Sequence, residues 1–257
     1  MPPAVNANDL GHGVNNWYTS LPPITRIYGT TLFGASLLLA LQMLNPFWLA
    51  LIWSRVVTHF EVWRLLGNFL FLGKFGMVWL AYIVRFFMYS PILEGQVFLN
   101  EPADYLTMLL FGAGAMLVAS GLAHLVLGMP LVFNALGMIF MIVTVWSRNF
   151  AEQAQSVYGL FTIQSYYMPY FYLVLDIIMG GGAISWPSVV GIGVGHLYYH
   201  LHDVYPLLGG PQLLATPRFL KNLLADWGLG RRAVTHAASG QESFRSFAGR
   251  GRRLGTS

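Results

Sequence analysis

The sequence predicts an all-α integral membrane protein in which six apolar helices form one bundle, an amphipathic loop follows the first helix and a basic, disordered tail leaves the last. Three observations carry this. Of the 257 residues, 56% are hydrophobic and 9% charged, with a mean hydropathy of +0.57, whereas soluble domains carry about 25% charged residues. Residues 27–54, 105–147, 153–175 and 177–202 hold no formal charge, and each can supply at least one crossing of about 20 residues. Finally, the last 51 positions contain eight of the 14 basic residues (Arg218, Lys221, Arg231, Arg232, Arg245, Arg250, Arg252 and Arg253) against two acids, Asp226 and Glu242. The chain thus divides into an N-terminal segment, 1–24, a membrane domain, 25–206, and a tail, 207–257.

The first span is expected near 25–44. Its apolar run begins after Arg26 and is too long for the core of a cleavable signal peptide, so it reads as a retained signal anchor. The second, near 70–92, is interrupted by Lys74 and Arg85, which can reach the two interfaces from a short buried core. The 43 residues of 105–147 hold two spans, near 105–124 and 130–147, because a helix rises about 1.5 Å per residue. His124 and the run Leu127-Gly128-Met129-Pro130 mark the turn of that hairpin. The fifth span is expected near 163–180, with Pro169 inside it and Asp176 toward its far end, and the sixth near 187–206. Six crossings put both termini on one side, and the basic tail makes that side cytosolic. Arg26, Arg85 and Arg148 then fall on the cytosolic side and Arg55, Arg64 and Lys74 opposite, so the orientation rests on the tail.

Residues 45–76, "NPFWLALIWSRVVTHFEVWRLLGNFLFLGKFG", are too apolar for an ordinary loop and too broken for a crossing. They read as interfacial helices, with Trp48, Trp53 and Trp63 at headgroup depth and Arg55 and Arg64 directed to phosphates. An ordinary amphipathic connection is the competing reading. The pI near 9.4 belongs to the tail, since residues 1–206 carry six basic and eight acidic groups, and no nucleic-acid partner is expected. With no cysteine the chain forms no disulfide, and this says nothing about compartment.

Trp63-Arg64 after an amphipathic first loop resembles the Trp-Arg motif of the rhomboid superfamily. "PPITRIY" (22–28), "PADYLTMLLF" (102–111), "GHLYYHLHDVYP" (195–206) and "TPRFL" (216–220) narrow the resemblance to the Derlin family, in order and spacing over most of the chain. The resemblance implies a rhomboid-like six-span fold with a lumenal first loop, in the endoplasmic reticulum membrane. It implies a protein without protease activity or cofactor that acts in endoplasmic-reticulum-associated degradation. The implied role is to move misfolded polypeptides from lumen or bilayer to the cytosol, beside a ubiquitin-ligase complex and as a possible homo-oligomer. In Derlins the second and fifth helices border a lateral opening, which makes Arg85, Asp176 and the tyrosines of 166–172 candidates to line it; headgroup anchoring is the alternative for Arg and Tyr.

The residues themselves argue against the main alternative, an active rhomboid-type intramembrane serine protease. Rhomboid proteases carry a Gly-x-Ser-Gly serine on the fourth span and a histidine three residues before a Gly-xxx-Gly pair on the sixth. Gly191 and Gly195 supply the glycine pair, but Ser188 stands at the histidine position, and 130–146 contain no serine. His196 lies eight residues beyond Ser188, about 12 Å along a helix and turned by roughly 80°, so it cannot act as the base there. Ser120, in "VASGLAH" (118–124), has Val118 where the first glycine belongs and reads as a packing residue. His196 and His200 share a helix face, but one such pair is too little for a membrane di-metal enzyme. No metal is expected, and both read as buried polar groups bonded to neighbours or water. Gly191 and Gly195 read as a close helix-packing surface, which Gly193 narrows further. In the tail, Phe247, Gly249, Gly251 and Leu254 fit Phe-x-Gly-x-Gly-x-x-Leu, which resembles the SHP box of many Derlins (247–254 here) that docks the AAA+ segregase, valosin-containing protein.

Overall fold

A computed structural model describes residues 7–99, 101–157, 159 and 161–229. These fold into twelve helices and one short hairpin. The order is α1 (Ala7–Ser20), α2 (Pro23–Ala40), α3 (Pro46–Leu49), α4 (Trp53–His59), α5 (Arg64–Gly67), α6 (Met77–Ile92), α7 (Pro102–Leu127), α8 (Ala135–Asn149), β1 (Ala154–Val157), β2 (Phe161–Gln164), α9 (Met168–Met179), α10 (Trp186–Tyr199), α11 (Tyr205–Leu207) and α12 (Arg218–Asp226). Two π-helical turns extend α6 through Leu93–Val97 and α10 through His200–Val204.

The core is organised around α8. Every residue from Gly137 to Ser147 is buried, and the helix is apolar on all sides, which is the pattern of a helix wrapped by others. Its most extensive partner is α10, and α6, α9 and α7 close the remaining sides. The first loop folds onto one end of this bundle. There the Leu51 N–H donates to Val132 O at 2.9 Å, the Trp53 Nε1–H donates to Ser120 Oγ at 3.2 Å, and the Asn134 amide donates to Asn68 Oδ1 at 2.9 Å.

The expected spans and the observed helices agree in order but not in length. Among the described residues two helices, Met77–Val97 and Pro102–Leu127, are long and apolar enough to cross a membrane, whereas α2, α8 and α9 have 18, 15 and 12 residues. The reason is that an uncharged stretch need not be helical throughout. Residues 128–134 of the expected hairpin are irregular: Gly128 ends α7 at a φ of 64°, and Pro130 follows, a combination that closes a helix and blocks its resumption. The second span starts at Met77 and not near 70, because residues 71–76 are irregular and include Gly73 at a φ of 104°. The expected fifth span loses its first five residues to β2, paired antiparallel with β1 in the register Gln155 opposite Ile163, and to a 3₁₀ turn at Ser165–Tyr167.

Two further differences concern the termini. The N-terminal segment contains α1, whose Trp17 meets Phe87 of α6 edge to face at 5.3 Å. The tail, expected to leave the fold disordered at 207, instead returns as α12. Leu220 and Leu224 are buried, the helix rests on α7, and Lys221 Nζ lies 3.1 Å from Asp104 Oδ1. Leu220, Leu223 and Leu224 recur at helical spacing among polar residues, so one face of this helix can be buried while the other is solvated. The motif at 247–254 lies outside the described residues.

Candidate functional site

Arg85 of α6 and Asp176 of α9 form a two-pronged ion pair. Arg85 Nη1–H donates to Asp176 Oδ2 and Nη2–H to Oδ1, each at 3.0 Å, with side chains 2% and 5% exposed. The two residues therefore face each other and not an open groove. The guanidinium carbon sits 4.0 Å from the centre of the Tyr172 ring, 5.3 Å from Phe140 and 5.5 Å from Tyr82, within cation–π range of all three. One turn along the same seam, the Tyr89 and Tyr172 hydroxyls are 2.9 Å apart. Arg85 Nε is buried and has no acceptor among the described residues. Removing one half of such a pair leaves an unpaired buried charge and costs about 3–5 kcal/mol, whereas replacing both halves by apolar groups is often neutral. The seam is thus held by a device that stability alone does not require.

The first loop is stapled from within by Arg64. Its side chain is 3% exposed; Nη1–H donates to the carbonyls of Phe47 and Ala50, the Nε–H pairs with Glu61, and the guanidinium lies 5.4 Å over the Phe47 ring. The expectation that Arg64 points to lipid phosphate is corrected: a short helix, α3, ends with unpaired carbonyls, and the arginine supplies their donors. Arg55 is the exposed arginine of the loop, 5.1 Å from the centre of the same Phe47 ring and 3.7 Å from Glu61. Trp48 and Trp63 are exposed, but Trp53 turns inward to Ser120.

Gly191 and Gly195 both lie on the α8–α10 contact. A Cβ added at Gly191 would stand 2.1 Å from Gly137 O, and one at Gly195 would stand 2.7 Å from Thr144 Cβ, whereas Gly193 faces open space and narrows nothing. Ser188 donates to Ser185 Oγ at 2.9 Å. Ser120 is fully buried, accepting from Trp53 and donating to Leu131 O at 3.1 Å, so its hydroxyl ties α7 to the first loop and to the link before α8. The two histidines part company. His196 bridges Arg148 Nε, at 3.2 Å, and the Tyr170 hydroxyl, at 2.8 Å, while His200 is exposed and not buried as expected. Among the described residues no group of three or more His, Cys, Asp or Glu could hold a metal ion.

One constellation escaped the sequence reading. Glu94, fully buried in the π-helical turn after α6, accepts from the backbone N–H groups of Ile24 at 2.9 Å and Thr25 at 2.7 Å. It caps the start of α2 from another helix, where proline at the first helical positions leaves only those donors to satisfy. Thr25 Oγ1 continues to Ser90 Oγ at 2.7 Å, and Ser90 to the Tyr105 hydroxyl. The network joins α2, α6 and α7. Its signal was an acid in an apolar run eight residues before the "PADYL" motif; the "PPITR" segment that it caps lies about 70 positions away in sequence.

Comparison with known proteins bears on the whole of this architecture. The profile of the Der1-like family matches residues 21–218. The chain is 37% identical over 244 residues to Derlin-1.2 of Zea mays, covering 93% of this chain and 97% of that protein. It is 37% identical over 240 residues to Derlin-1 of Oryza sativa subsp. japonica, with the same coverage, and 36% identical over 214 residues to Derlin-1 of Arabidopsis thaliana, covering 83% of this chain and 78% of that one. From α2 to the start of α12, and by its identity to these relatives across nearly its whole length, this chain belongs to the Der1-like, or Derlin, family.

Proposed function

We propose that this Derlin is a non-catalytic retrotranslocation factor of endoplasmic-reticulum-associated degradation. In this reading the chain crosses the endoplasmic reticulum membrane six times, with α2, α6, α7, α8, α9 and α10, and carries both termini in the cytosol. The loop stapled by Arg64 lies at the lumenal interface, with Trp63 toward the headgroups. Misfolded polypeptide from lumen or bilayer meets the seam between α6 and α9. The tail motif at Phe247, Gly249, Gly251 and Leu254 recruits the AAA+ segregase, whose pockets would take the two apolar side chains while the glycines let the backbone lie close. A ubiquitin-ligase complex is the neighbouring partner.

One observation carries the reading: Ser188 stands where a rhomboid protease has its histidine and 130–146 hold no serine, in a chain that otherwise follows its Derlin-named relatives along 93% of its length. The remaining serine candidate, Ser120, spends its hydroxyl on Trp53 and Leu131. A scaffold of this kind has a physical task, since each unsatisfied backbone group in hydrocarbon costs several kcal/mol.

The test is crosslinking and mass spectrometry from native membranes, for full-length protein and for Phe247→Ala with Leu254→Ala. The expected result is segregase and ligase subunits with the first, no segregase with the second, and a misfolded membrane substrate whose half-life lengthens in the variant. Cleavage of a model transmembrane substrate that disappears on Ser120→Ala would overturn the reading in favour of a protease. Undiminished direct recruitment of the segregase by the purified variant would remove the tail assignment.

A further inference from the structure

We propose that the Arg85–Asp176 pair is a recognition site for an ionisable residue in a transmembrane segment of a client polypeptide, which enters between α6 and α9 and takes over one half of the pair. The inference deepens the retrotranslocation reading and rests on it. The geometry comes first. α6 and α9 both pack on α8, and they reach each other through long side chains, the ion pair and the Tyr89–Tyr172 hydroxyls. α9 has only 12 residues. Pro169 stands in its first turn, and at its other end Gly181 and Gly182 take φ values of 75° and 88°, which only glycine adopts without strain. A short helix between such ends can swing away from α6 with little backbone cost.

What resists the swing is charge. Parting Arg85 from Asp176 in a medium of low dielectric leaves two ions without compensation. The cost is unequal between them: when α9 moves, Tyr172 leaves with Asp176, while Tyr82 of α6 and Phe140 of α8 stay around the guanidinium. Arg85 is therefore the fixed cation of the seam and Asp176 the mobile anion. A client segment carrying a carboxylate compensates Arg85, and one carrying an ammonium compensates Asp176. An apolar segment compensates neither and leaves the seam shut. Arg85 also keeps a buried Nε–H that has no acceptor among the described residues, a donor already in place for an incoming carboxylate or amide oxygen. Beside it, a cavity of about 460 Å³ opens along α6, lined by Leu72, Trp79, Tyr82, Leu136 and Pro187 among others. Tyr82 is shared between this cavity and the cation, so an apolar side chain of the client can lodge next to the charge it brings.

The experiment reconstitutes the full chain in phosphatidylcholine proteoliposomes and measures energy transfer to dye-labelled single-span Leu/Ala peptides bearing one central Glu, Lys or Leu. The chain has no cysteine, so a single introduced cysteine at exposed Val174 carries the acceptor dye. Wild type is expected to bind the Glu and Lys peptides at least tenfold more tightly than the Leu peptide. Asp176→Asn, which leaves Arg85 charged, is expected to keep Glu binding and lose Lys binding; Arg85→Gln should do the reverse. Arg85→Leu with Asp176→Leu, which closes the seam without charge, should bind all three alike. A merely structural pair would not produce this crossed selectivity. Equal binding of the three peptides by wild type, or discrimination that survives in the double leucine variant, overturns the proposal. Failure of wild type to bind any peptide also overturns it, and the retrotranslocation reading then stands or falls separately on substrate half-life and segregase co-purification. Elution profile and helical circular dichroism of each variant establish that it folds.

Discussion

Adding a single methyl group to α10 separates the packing role of its glycines from every other. At Gly191 the new carbon would lie 2.1 Å from Gly137 O and 2.8 Å from that residue's carbonyl carbon and Cα, where ordinary contact begins at 3.4 Å. Nothing in that neighbourhood is a flexible side chain, so α10 must move off α8 by about 1.3 Å along the most extensive helix contact of the molecule. Overpacking of this kind costs typically 1–3 kcal/mol. Gly193, two residues along the same helix, has nothing within 4 Å of its added carbon. Glycine to alanine within a helix gains up to about 1 kcal/mol at either position, so the difference between Gly191→Ala and Gly193→Ala isolates the steric term. Gly112→Ala sets an intermediate case: its Cβ would meet the Sδ of Met141 at 2.1 Å, the end of a side chain that can turn aside. Thermal unfolding in detergent, followed by the fluorescence of the eight tryptophans, should rank the variants Gly191→Ala, Gly112→Ala, wild type and Gly193→Ala in rising midpoint. Equal midpoints for Gly191→Ala and Gly193→Ala would refute the reasoning, because they would mean that α8 and α10 do not approach as closely as their backbones indicate.

Two other variants address the ends of the bundle. Arg64→Ala strands the carbonyls of Phe47 and Ala50 and leaves Glu61 with only the longer contact to Arg55; it should expose residues 47–66 to limited proteolysis at least tenfold faster while α6 to α10 resist, and an unchanged cleavage rate would count against the staple. Glu94→Gln offers one carbonyl oxygen to two backbone donors and turns an NH₂ group on the other, so a loss of about 1–3 kcal/mol is expected. A thermal midpoint equal to that of wild type would show that water or another group caps α2.

The parts of the fold that were legible in the sequence are those where charge or side-chain size decides. Long uncharged stretches located α2, α7, α8 and α10, and apolar runs broken by a single ion each, Arg85 and Asp176, located α6 and α9. The small residues at 191 and 195 identified the face of α10 that meets another helix. What composition could not show is where hydrogen bonding interrupts a helix inside an apolar run. Pro130 and Gly128 announced the break before α8, but the five residues before α9 carry no charge, and the pairing of Ile163 and Gln164 with Gln155 and Ala154 depends on a neighbouring strand. The site divides similarly. Arg85 and Asp176 drew notice because an ion in an apolar span demands explanation, yet their partnership spans 91 positions, a separation that no local pattern encodes. Arg64 was noticed for its charge and misplaced for the same reason: an exposed arginine and one spent on backbone carbonyls look alike in sequence. Glu94 escaped because its partners are main-chain groups, which every residue has.

The lengths of the helices bear directly on the task proposed for them. At about 1.5 Å per residue, α9, with 12 residues, covers roughly 18 Å, and α8, with 15, roughly 22 Å, whereas the hydrocarbon core of a bilayer is about 30 Å thick. The shortness of α8 is concealed, since other helices surround it. That of α9 is not: Val174 and Ile178 are exposed on its outer side. Its neighbour across the ion pair, Met77–Val97, has 21 residues and covers about 31 Å. In the reading proposed above, lipid beside α9 must therefore thin or tilt to meet it, at a cost of fractions of a kcal/mol per Å, while lipid beside α6 need not. The mismatch falls on the same edge as the charge pair and the glycine turn that ends α9. A polar chain passing there has less hydrocarbon to cross than anywhere else on the perimeter where a full-length helix meets lipid. The same shortening brings interfacial water nearer to Asp176, which lies four residues before Gly180 at the end of the helix. In the reading proposed above, one short helix both shortens the path of passage and carries one half of the charge pair proposed to select what passes.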